Sequence, residues 1–137
     1  MDLIIDANIL FAILIKDSVN AELIVDENIH LFAPEYLFQE FYKHKEEILE
    51  KMYGTEREFN DIYDILKSII TIIPAEEFEG FLKEAEHILV DHPKDAPYFA
   101  LAIKLKCPIW SNEKRLKNQK VITVYSTRDI LSFIRPE

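Results

Sequence analysis

The sequence has one cysteine and two glycines among 137 residues. A single cysteine excludes an internal disulfide, and with only four histidines it makes a zinc site of the usual spacing improbable. Because glycine is scarce and there are no repeats or low-complexity segments, no flexible linker divides the chain, and we expect residues 1–137 to form one domain. Cys107, before Pro108, is interpreted as a small core residue, with a reactive thiol as the alternative.

Long apolar runs are also absent. No run approaches the roughly 20 residues of a membrane span, so no membrane segment is predicted. Asp2 stands where a signal peptide would need positive charge, and we therefore expect a cytoplasmic protein.

Positive charge is scarce overall, and the net charge of −9 argues against a general nucleic-acid binder. Its distribution is uneven, because residues 104–120 carry a net charge of +5. A second, smaller basic cluster is Lys43-His44-Lys45. Solvated surface lysines are the ordinary interpretation of such clusters, and phosphate binding is the alternative.

Short apolar segments alternate with longer amphipathic ones. The segments predicted as strands are 3–6, 30–33, 71–73, 107–111 and 121–125. Between them the pattern predicts helices, including a long one over 34–53 and another whose apolar stripe runs from Phe78 to Leu89. This alternation is typical of an α/β fold, with a mostly parallel, roughly five-stranded sheet covered by helices on both faces.

Four acids are predicted to meet at one edge of that sheet. The stretch LIIDANIL places Asp6 at the carboxyl end of the first strand. Glu113 follows the fourth strand, Asp95 begins the helix that leads into it, and Glu40 lies in the helix after the second strand. In parallel sheets, ligands bind beyond the carboxyl ends of the strands, where the topology switches.

Each acid also has a simpler interpretation. Asp6 and Asp95 could cap the helices that follow them, and Glu40 and Glu113 could be surface acids. Asp91 fits a turn first and an accessory ligand second. Four carboxylates at one edge would repel one another, however, and a hard divalent cation, Mg²⁺ or Mn²⁺, is the natural group to neutralise them.

With these acids in order, nearly the whole chain resembles a PIN domain, in the branch similar to VapC-type toxins. The stretches that carry the resemblance are LIIDANIL, APEYLFQEFYKHKEEIL, DHPKDAPYFALAIKLKCPIWSNEKRL and VITVYSTRDIL. The resemblance implies a three-layer α/β/α sandwich. It also implies a metal-dependent endoribonuclease that acts on single-stranded or looped RNA.

By this resemblance, Asp6, Glu40, Asp95 and Glu113 match the family's four acidic positions, which hold one or two metal ions. Asn8 and Ser111 match polar positions that support ligands or substrate. Glu113 is a departure, because the family usually has Asp there, and the extra methylene moves the carboxylate by roughly 1.5 Å. The resemblance further implies a small antitoxin partner and homodimers formed through helices.

An acidic pocket repels a polyanion, so basic residues beside it would have to hold the RNA backbone. The candidates directly follow two of the acids in the sequence: Lys43, Lys45, Lys114, Arg115 and Lys117. His44 could serve as a general base, but its place in the apolar stripe of the helix favours a packed side chain. Trp110 and Tyr98 are interpreted as core residues.

Three other functions compete with the nuclease. The first is a PIN-like module that binds RNA or a partner without cutting, which the Glu113 departure and the net acidity favour. The second is phosphoryl transfer through an aspartyl phosphate on Asp6, which would need a general acid where the chain has Asn8. The third is a purely structural domain.

Overall fold

The computed structural model describes residues 1–15, 18–52 and 54–135. Its centre is a five-stranded sheet in the order β3-β2-β1-β4-β5, with every pairing parallel. The strands are β1 (Asp2–Ile5), β2 (His30–Pro34), β3 (Ile70–Ile73), β4 (Ile109–Trp110) and β5 (Val124–Tyr125). The predicted α/β class and the parallel five-stranded sheet are confirmed.

Helices fill the connections between strands. In chain order they are α1 (Ala7–Leu14), α2 (Ser18–Ile24), α3 (Tyr36–Lys43), α4 (Lys45–Met52), α5 (Glu56–Ile69), α6 (Ala75–Phe78), α7 (Leu82–Ile88), α8 (Ala96–Leu105) and α9 (Thr127–Ile134). Short 3-10 helices cover Glu79–Phe81, Pro93–Asp95 and Lys114–Asn118. None of the helices in the described part of the chain has the length and apolar character that a bilayer span requires.

The central strand β1 is apolar because helices enclose it. Leu3, Ile4 and Ile5 are completely buried. Helix α8 packs against β1, β2 and β4, and α1 contacts α2, α3 and α4. Strands covered on both faces lack the alternation of a half-exposed strand, which explains the continuous apolar run before Asp6.

The strand order reverses at β1. The chain moves outward from β1 through β2 to β3, then returns across the sheet to β4 on the other side of β1. The connections that leave β1 and β4 therefore diverge, and a crevice opens between the carboxyl ends of these two strands. Asp6 follows β1 directly, and Ser111 follows β4 directly.

The predicted helix over 34–53 is two helices. Pro34 ends β2 instead of starting the helix, and it pairs only with Ile73 of β3, where its missing N–H breaks no bond to β1. His44 interrupts the helix between α3 and α4, although its carbonyl still accepts from Ile48 N at 3.0 Å. Tyr53, where the prediction ended the helix, lies outside the described residues.

Other boundaries also differ from the predictions. Strands β4 and β5 have only two residues each, and the helix with the stripe from Phe78 to Leu89 is broken by the 3-10 turn Glu79–Phe81. Gly80, in the middle of that turn, is a weak helix former. Helix α9 begins with a side-chain cap, in which the Ser126 hydroxyl accepts from Asp129 N at 3.1 Å.

Candidate functional site

Asp6 lies at the mouth of the crevice between β1 and β4. Its backbone N–H donates to Trp110 O at 3.1 Å, which ties it to β4. Its side chain is buried, with 7% of the residue exposed, and the two oxygens have different partners. Oδ1 accepts from Asn8 N at 3.3 Å and caps α1, as predicted. Oδ2 accepts from the Ser111 hydroxyl at 2.6 Å.

The charge of Asp6 is only partly compensated. Burial raises the pKa of this carboxyl, whereas the hydrogen bonds from Ser111 and from Asn8 N lower it. The negative charges of Asp95 and Glu113 raise the pKa further. Three acids that are far apart in the sequence therefore act on one another in space.

Glu113 joins the site through the loop after β4. Its backbone N–H donates to Ser111 Oγ at 3.1 Å, so the hydroxyl that contacts Asp6 also fixes the start of this loop. The side-chain amide of Asn8 donates to Glu113 Oε1 at 3.1 Å. The two polar residues suggested as supports, Asn8 and Ser111, thus connect Asp6 with Glu113.

Asp95 approaches from the other side, at the start of α8. It makes no side-chain capping bond to that helix, so the capping interpretation is wrong for Asp95. Burial raises the pKa of its carboxyl, the positive charges of Arg115 and His92 lower it, and Glu113 and Glu40 raise it. Its Oδ2 lies 3.8 Å from a terminal nitrogen of Arg115.

Glu40 is the fourth acid and lies on α3. It is half-buried on α3, where the Tyr36 hydroxyl donates to its Oε1 at 3.0 Å. Its charge contributes to the pKa of Asp95, which places it on the same edge of the sheet. We refer to Asp6, Glu40, Asp95 and Glu113 as the acid cluster.

The side chains of the acid cluster are not arranged as a metal cage. Across residues 1–15, 18–52 and 54–135, no three His, Cys, Asp or Glu side chains are placed so that they could hold an ion together. Glu40 is turned toward Tyr36, and Glu113 toward Asn8 and Arg115. The cluster therefore supplies carboxylates to one crevice, but a shared ion would require at least some of them to change partners.

The structure adds Tyr98 to the site. Its ring is buried in the core as predicted, with 4% of the residue exposed, but among the described residues its hydroxyl has no hydrogen-bond partner. Burial raises the pKa of this hydroxyl strongly, and the charges of Asp6, Glu40 and Asp95 raise it further. The spacing in the sequence could have indicated that Tyr98 lies near the site, because Tyr98 is three residues after Asp95 and shares its helix face.

Thr127 anchors the loop after β4 through hydrogen bonds. Its hydroxyl donates to the Asn20 side chain at 2.6 Å and accepts from Trp110 Nε1 at 3.1 Å and from the Asn112 amide at 3.0 Å. Thr127 N in turn donates to Asn112 Oδ1 at 2.8 Å. No sequence motif marked this network, which fixes Asn112 between Ser111 and Glu113.

The five proposed phosphate contacts differ in their surroundings. Arg115 lies in the site itself, with Nε 3.3 Å from Glu113 Oε2. Lys45 is paired with Glu56 and Lys117 with Asp129. Lys43 and Lys114 are exposed. Lys43 and Lys114 are therefore better placed to meet a polyanion than Lys45 and Lys117, whereas Arg115 is already paired with two members of the acid cluster, Glu113 and Asp95.

Three further candidate residues from the sequence lie outside the acid cluster. Asp91 is exposed in the turn after α7, where it lines a small pocket with His92 and Arg115. The His44 ring contacts the Phe11 ring edge-on, but its side chain is about half exposed to solvent. The prediction that it is packed in the core is therefore wrong. Cys107 is half-buried beside the core, and burial raises its pKa to about 11, which makes it a poor nucleophile.

The sequence was compared with curated proteins and with protein-family models, and a family model matches. No curated protein matches the sequence. The family model described as the PIN domain matches residues 4–131, a range that includes all four members of the acid cluster. Because this match covers nearly the entire sequence, the chain belongs to the PIN-domain family.

Proposed function

We propose that this protein is a metal-dependent endoribonuclease whose active centre is the acid cluster. PIN domains are generally nucleases that act on RNA or DNA, and they typically use divalent metals. The observation that carries the proposal is the position of Asp6. Its buried carboxylate follows the central strand directly, and burial together with the charges of Asp95 and Glu113 raises its pKa.

The oxygen donors of the acid cluster are of the kind that a hard divalent cation such as Mg²⁺ or Mn²⁺ prefers, but Glu40 and Glu113 would have to leave their present partners to share one. Such ions prefer carboxylate oxygens, and among the described residues each oxygen of Asp6 accepts one hydrogen bond, which leaves it a lone pair for an ion. The Tyr98 hydroxyl adds a buried polar atom near Asp6, Glu40 and Asp95. When bound, a divalent cation acidifies a water molecule and stabilises negative charge on phosphate oxygens.

The residues have different roles in this proposal. Asp6 and Asp95 are the direct ligands, because both are buried enough for desolvation to be the main cause that raises their pKa. Ser111 and Asn8 fix the rotamer of Asp6 and its distance from Glu113. Glu40 is half-buried on α3 and can orient the attacking water without leaving its helix.

A nucleic-acid backbone is proposed as the substrate because cations flank the acids, and RNA is the substrate that the resemblance to VapC-type toxins implies. Arg115 lies beside Glu113 and Asp95, and Lys43 and Lys114 are exposed near Glu40 and Glu113 in sequence. These side chains would bind successive backbone phosphates and offset the repulsion between the acidic protein and a polyanion. A flexible single strand or loop can bring its backbone into such a crevice more easily than a duplex.

A cleavage assay tests the proposal. Purified protein is incubated with end-labelled single-stranded RNA and Mg²⁺ or Mn²⁺. We expect internal cleavage that EDTA abolishes and that Asp6→Asn lacks, while the exposed Asp61→Asn on α5 keeps full activity. RNA bound without any products would favour the alternative, an inactive RNA-binding or partner-docking module. The rearrangement that Glu40 and Glu113 need before they can share an ion is the observation that favours this alternative.

The VapC-like toxin role is the finer part of the proposal. A cavity of about 320 Å³ opens next to Asn8, with Phe11, Ile15 and Ile48 as its apolar lining and His44, Glu47 and Lys51 as its polar lining. A segment of a small antitoxin could pack there beside the acid cluster, and homodimers through helices remain part of the same proposal. Co-expression with the product of the neighbouring gene tests it, since a toxin pair predicts a stable complex in which the nuclease is inhibited.

A further inference from the structure

The cavity between α1 and α4 borders the acid cluster. Its volume is about 320 Å³, within the range of about 300–1,000 Å³ that small-molecule sites have. Asn8 lines it, and the side-chain amide of Asn8 donates to Glu113 Oε1 at 3.1 Å. The backbone N–H of Asn8 donates to Asp6 Oδ1 at 3.3 Å. One residue therefore contacts both the cavity and two members of the acid cluster.

Part of the cavity lining is a fixed aromatic ring. The Phe11 ring packs against the Phe41 ring, with the ring centroids 5.8 Å apart and the ring planes 12° apart. The His44 ring meets the Phe11 ring edge-on, with the centroids 6.1 Å apart. Phe41 and Ile48 are buried, whereas Phe11 is only half-buried and lines the cavity. Because its neighbours hold the Phe11 ring in place, the cavity offers a rigid apolar surface to a flat ligand.

Another part of the lining is polar, and it comes from one face of α4 and the residue before that helix. Its side chains are those of His44, Glu47 and Lys51. Glu47 Oε1 accepts from Lys51 Nζ at 3.0 Å, and Glu47 Oε2 lies 3.5 Å from His44 Nδ1. The Glu47 and Lys51 side chains are 57% and 62% exposed, and ion pairs at such exposure contribute little to stability. The Glu47 carboxylate can therefore leave these partners for a ligand at small cost.

A carboxylate beside an aromatic ring distinguishes the bases of RNA. Guanine presents two neighbouring donors, N1–H and N2–H, on its Watson–Crick edge, and these match the two oxygens of one carboxylate. Adenine, cytosine and uracil present an acceptor next to each donor on that edge, and the acceptor would face the negative charge. Proteins commonly recognise single-stranded RNA through aromatic packing on a base together with hydrogen bonds to this edge.

We infer that the cavity binds a guanine base of the RNA strand, in which Phe11 packs against the base and Glu47 accepts from N1–H and N2–H. The inference rests on the proposed function and names the part of the substrate that determines sequence preference. Because Asn8 connects the cavity with Asp6 and Glu113, a base in the cavity brings a neighbouring phosphate to the acid cluster.

Binding of single-stranded RNA in EDTA tests the inference without any cleavage. The probes are short labelled oligouridine strands that carry one central guanosine, one central inosine or neither, and fluorescence anisotropy measures their affinity. Inosine differs from guanosine only by the missing N2 amino group. The variants are Glu47→Gln and Phe11→Leu. Glu46→Gln is the matched control, because it removes the same charge from the neighbouring exposed position on α4, outside the cavity lining.

We expect the wild type and Glu46→Gln to bind the guanosine strand roughly tenfold more tightly than the inosine strand, as a bidentate contact to a base does. In Glu47→Gln this preference should disappear, since an amide nitrogen cannot accept from N2–H. Phe11→Leu should weaken binding of the guanosine strand roughly tenfold and leave the oligouridine strand unchanged. Thermal unfolding shows whether Phe11→Leu is folded, and Glu47→Gln at its exposed position tests the inference by itself.

Equal affinity of the wild type for the three strands would overturn the inference and leave the cavity to a protein segment. A guanosine preference that persists in Glu47→Gln would overturn it too. Both results leave the proposed nuclease intact. No binding of any strand, together with no cleavage in Mg²⁺ or Mn²⁺, would overturn the proposed function as well.

Discussion

The Ser111 hydroxyl donates a 2.6 Å hydrogen bond to the Asp6 carboxylate across the crevice between β4 and β1. The Ser111 oxygen also accepts from Glu113 N. One buried side chain therefore links Asp6, which follows the first strand, to Glu113, which follows the fourth. Both residues follow parallel neighbouring strands, whose ends lie side by side. The Ser111 hydroxyl thus joins Asn8 in fixing the relative position of two acids that are more than a hundred residues apart.

Ser111→Ala should weaken Mn²⁺ binding by roughly 10- to 100-fold, the usual cost of losing a partner that orients a metal ligand. Asp6 would lose the bond that fixes Oδ2, and Glu113 would lose its backbone anchor. Calorimetric titration measures the change. Ser68→Ala is the control, since its hydroxyl bonds only to Ile65 O on exposed α5. Equal Mn²⁺ affinity in both variants would contradict the role given to Ser111.

Asp6→Asn should stabilise the metal-free protein at neutral pH. The folded-state pKa of Asp6 is raised above the ordinary value of 3.8, so the unfavourable charge develops in the folded protein as the pH rises through that pKa. Asn still accepts from Asn8 N as a good helix cap. The difference in Tm between variant and wild type, measured without metal, should be small below about pH 4 and grow in favour of the variant toward pH 7. A difference that is independent of pH would count against this explanation.

Tyr98→Phe should separate stability from function. Removing an unpaired buried hydroxyl leaves the packing of the ring unchanged, so the free energy of unfolding should stay within about 1 kcal/mol of the wild type or rise. Mn²⁺ affinity should fall on the order of tenfold if the hydroxyl supports the bound ion or its water. Urea unfolding and calorimetry measure the two effects. Clear destabilisation with normal Mn²⁺ binding would show that the hydroxyl has a structural role only.

Thr127→Val should destabilise the fold by about 1–3 kcal/mol, because the half-buried Thr127 hydroxyl is the acceptor for Nε1 of the buried Trp110 and for the Asn112 amide. Urea unfolding measures the change. Thr71→Val, at an exposed position in β3, is the matched control and should stay within about 0.5 kcal/mol of the wild type. If the loop after β4 is held by this network, Mn²⁺ affinity should fall in Thr127→Val as well. A fully stable Thr127→Val protein would exclude the network as a support.

Lys43→Ala and Lys114→Ala should each weaken RNA binding and reduce its dependence on salt. Each phosphate contact to a single strand contributes about 0.7 to the slope of log K against log salt concentration. Fluorescence anisotropy with a labelled oligonucleotide at several salt concentrations measures this slope. Lys120→Ala, at an exposed position outside the proposed contacts, should keep the wild-type slope. Three identical slopes would remove these lysines from the interface.

The sequence by itself determined the sheet and the approach of the acids. Apolar runs such as Leu3–Ile5 are continuous because a parallel strand is buried on both faces, and this pattern is local. Once the strands are parallel, residues that follow them must lie at one edge, so the proximity of Asp6 and Glu113 could be predicted from their positions in the chain. Helix caps such as Ser126 are equally local.

Only the tertiary structure decided which partner each polar group meets. The break at His44, the pairing of Arg115 with both Glu113 and Asp95, and the network around Thr127 join residues from separate elements. The Tyr98 hydroxyl, which has no hydrogen-bond partner among the described residues, could not be predicted for the same reason. The aromatic ring fits the core pattern, and periodicity does not show which groups surround its oxygen. Hydrophobic periodicity specifies which face of a helix or strand is buried. A hydrogen bond requires its donor and acceptor to be placed to within a few tenths of an ångström, and only the packed chain fixes positions to that precision.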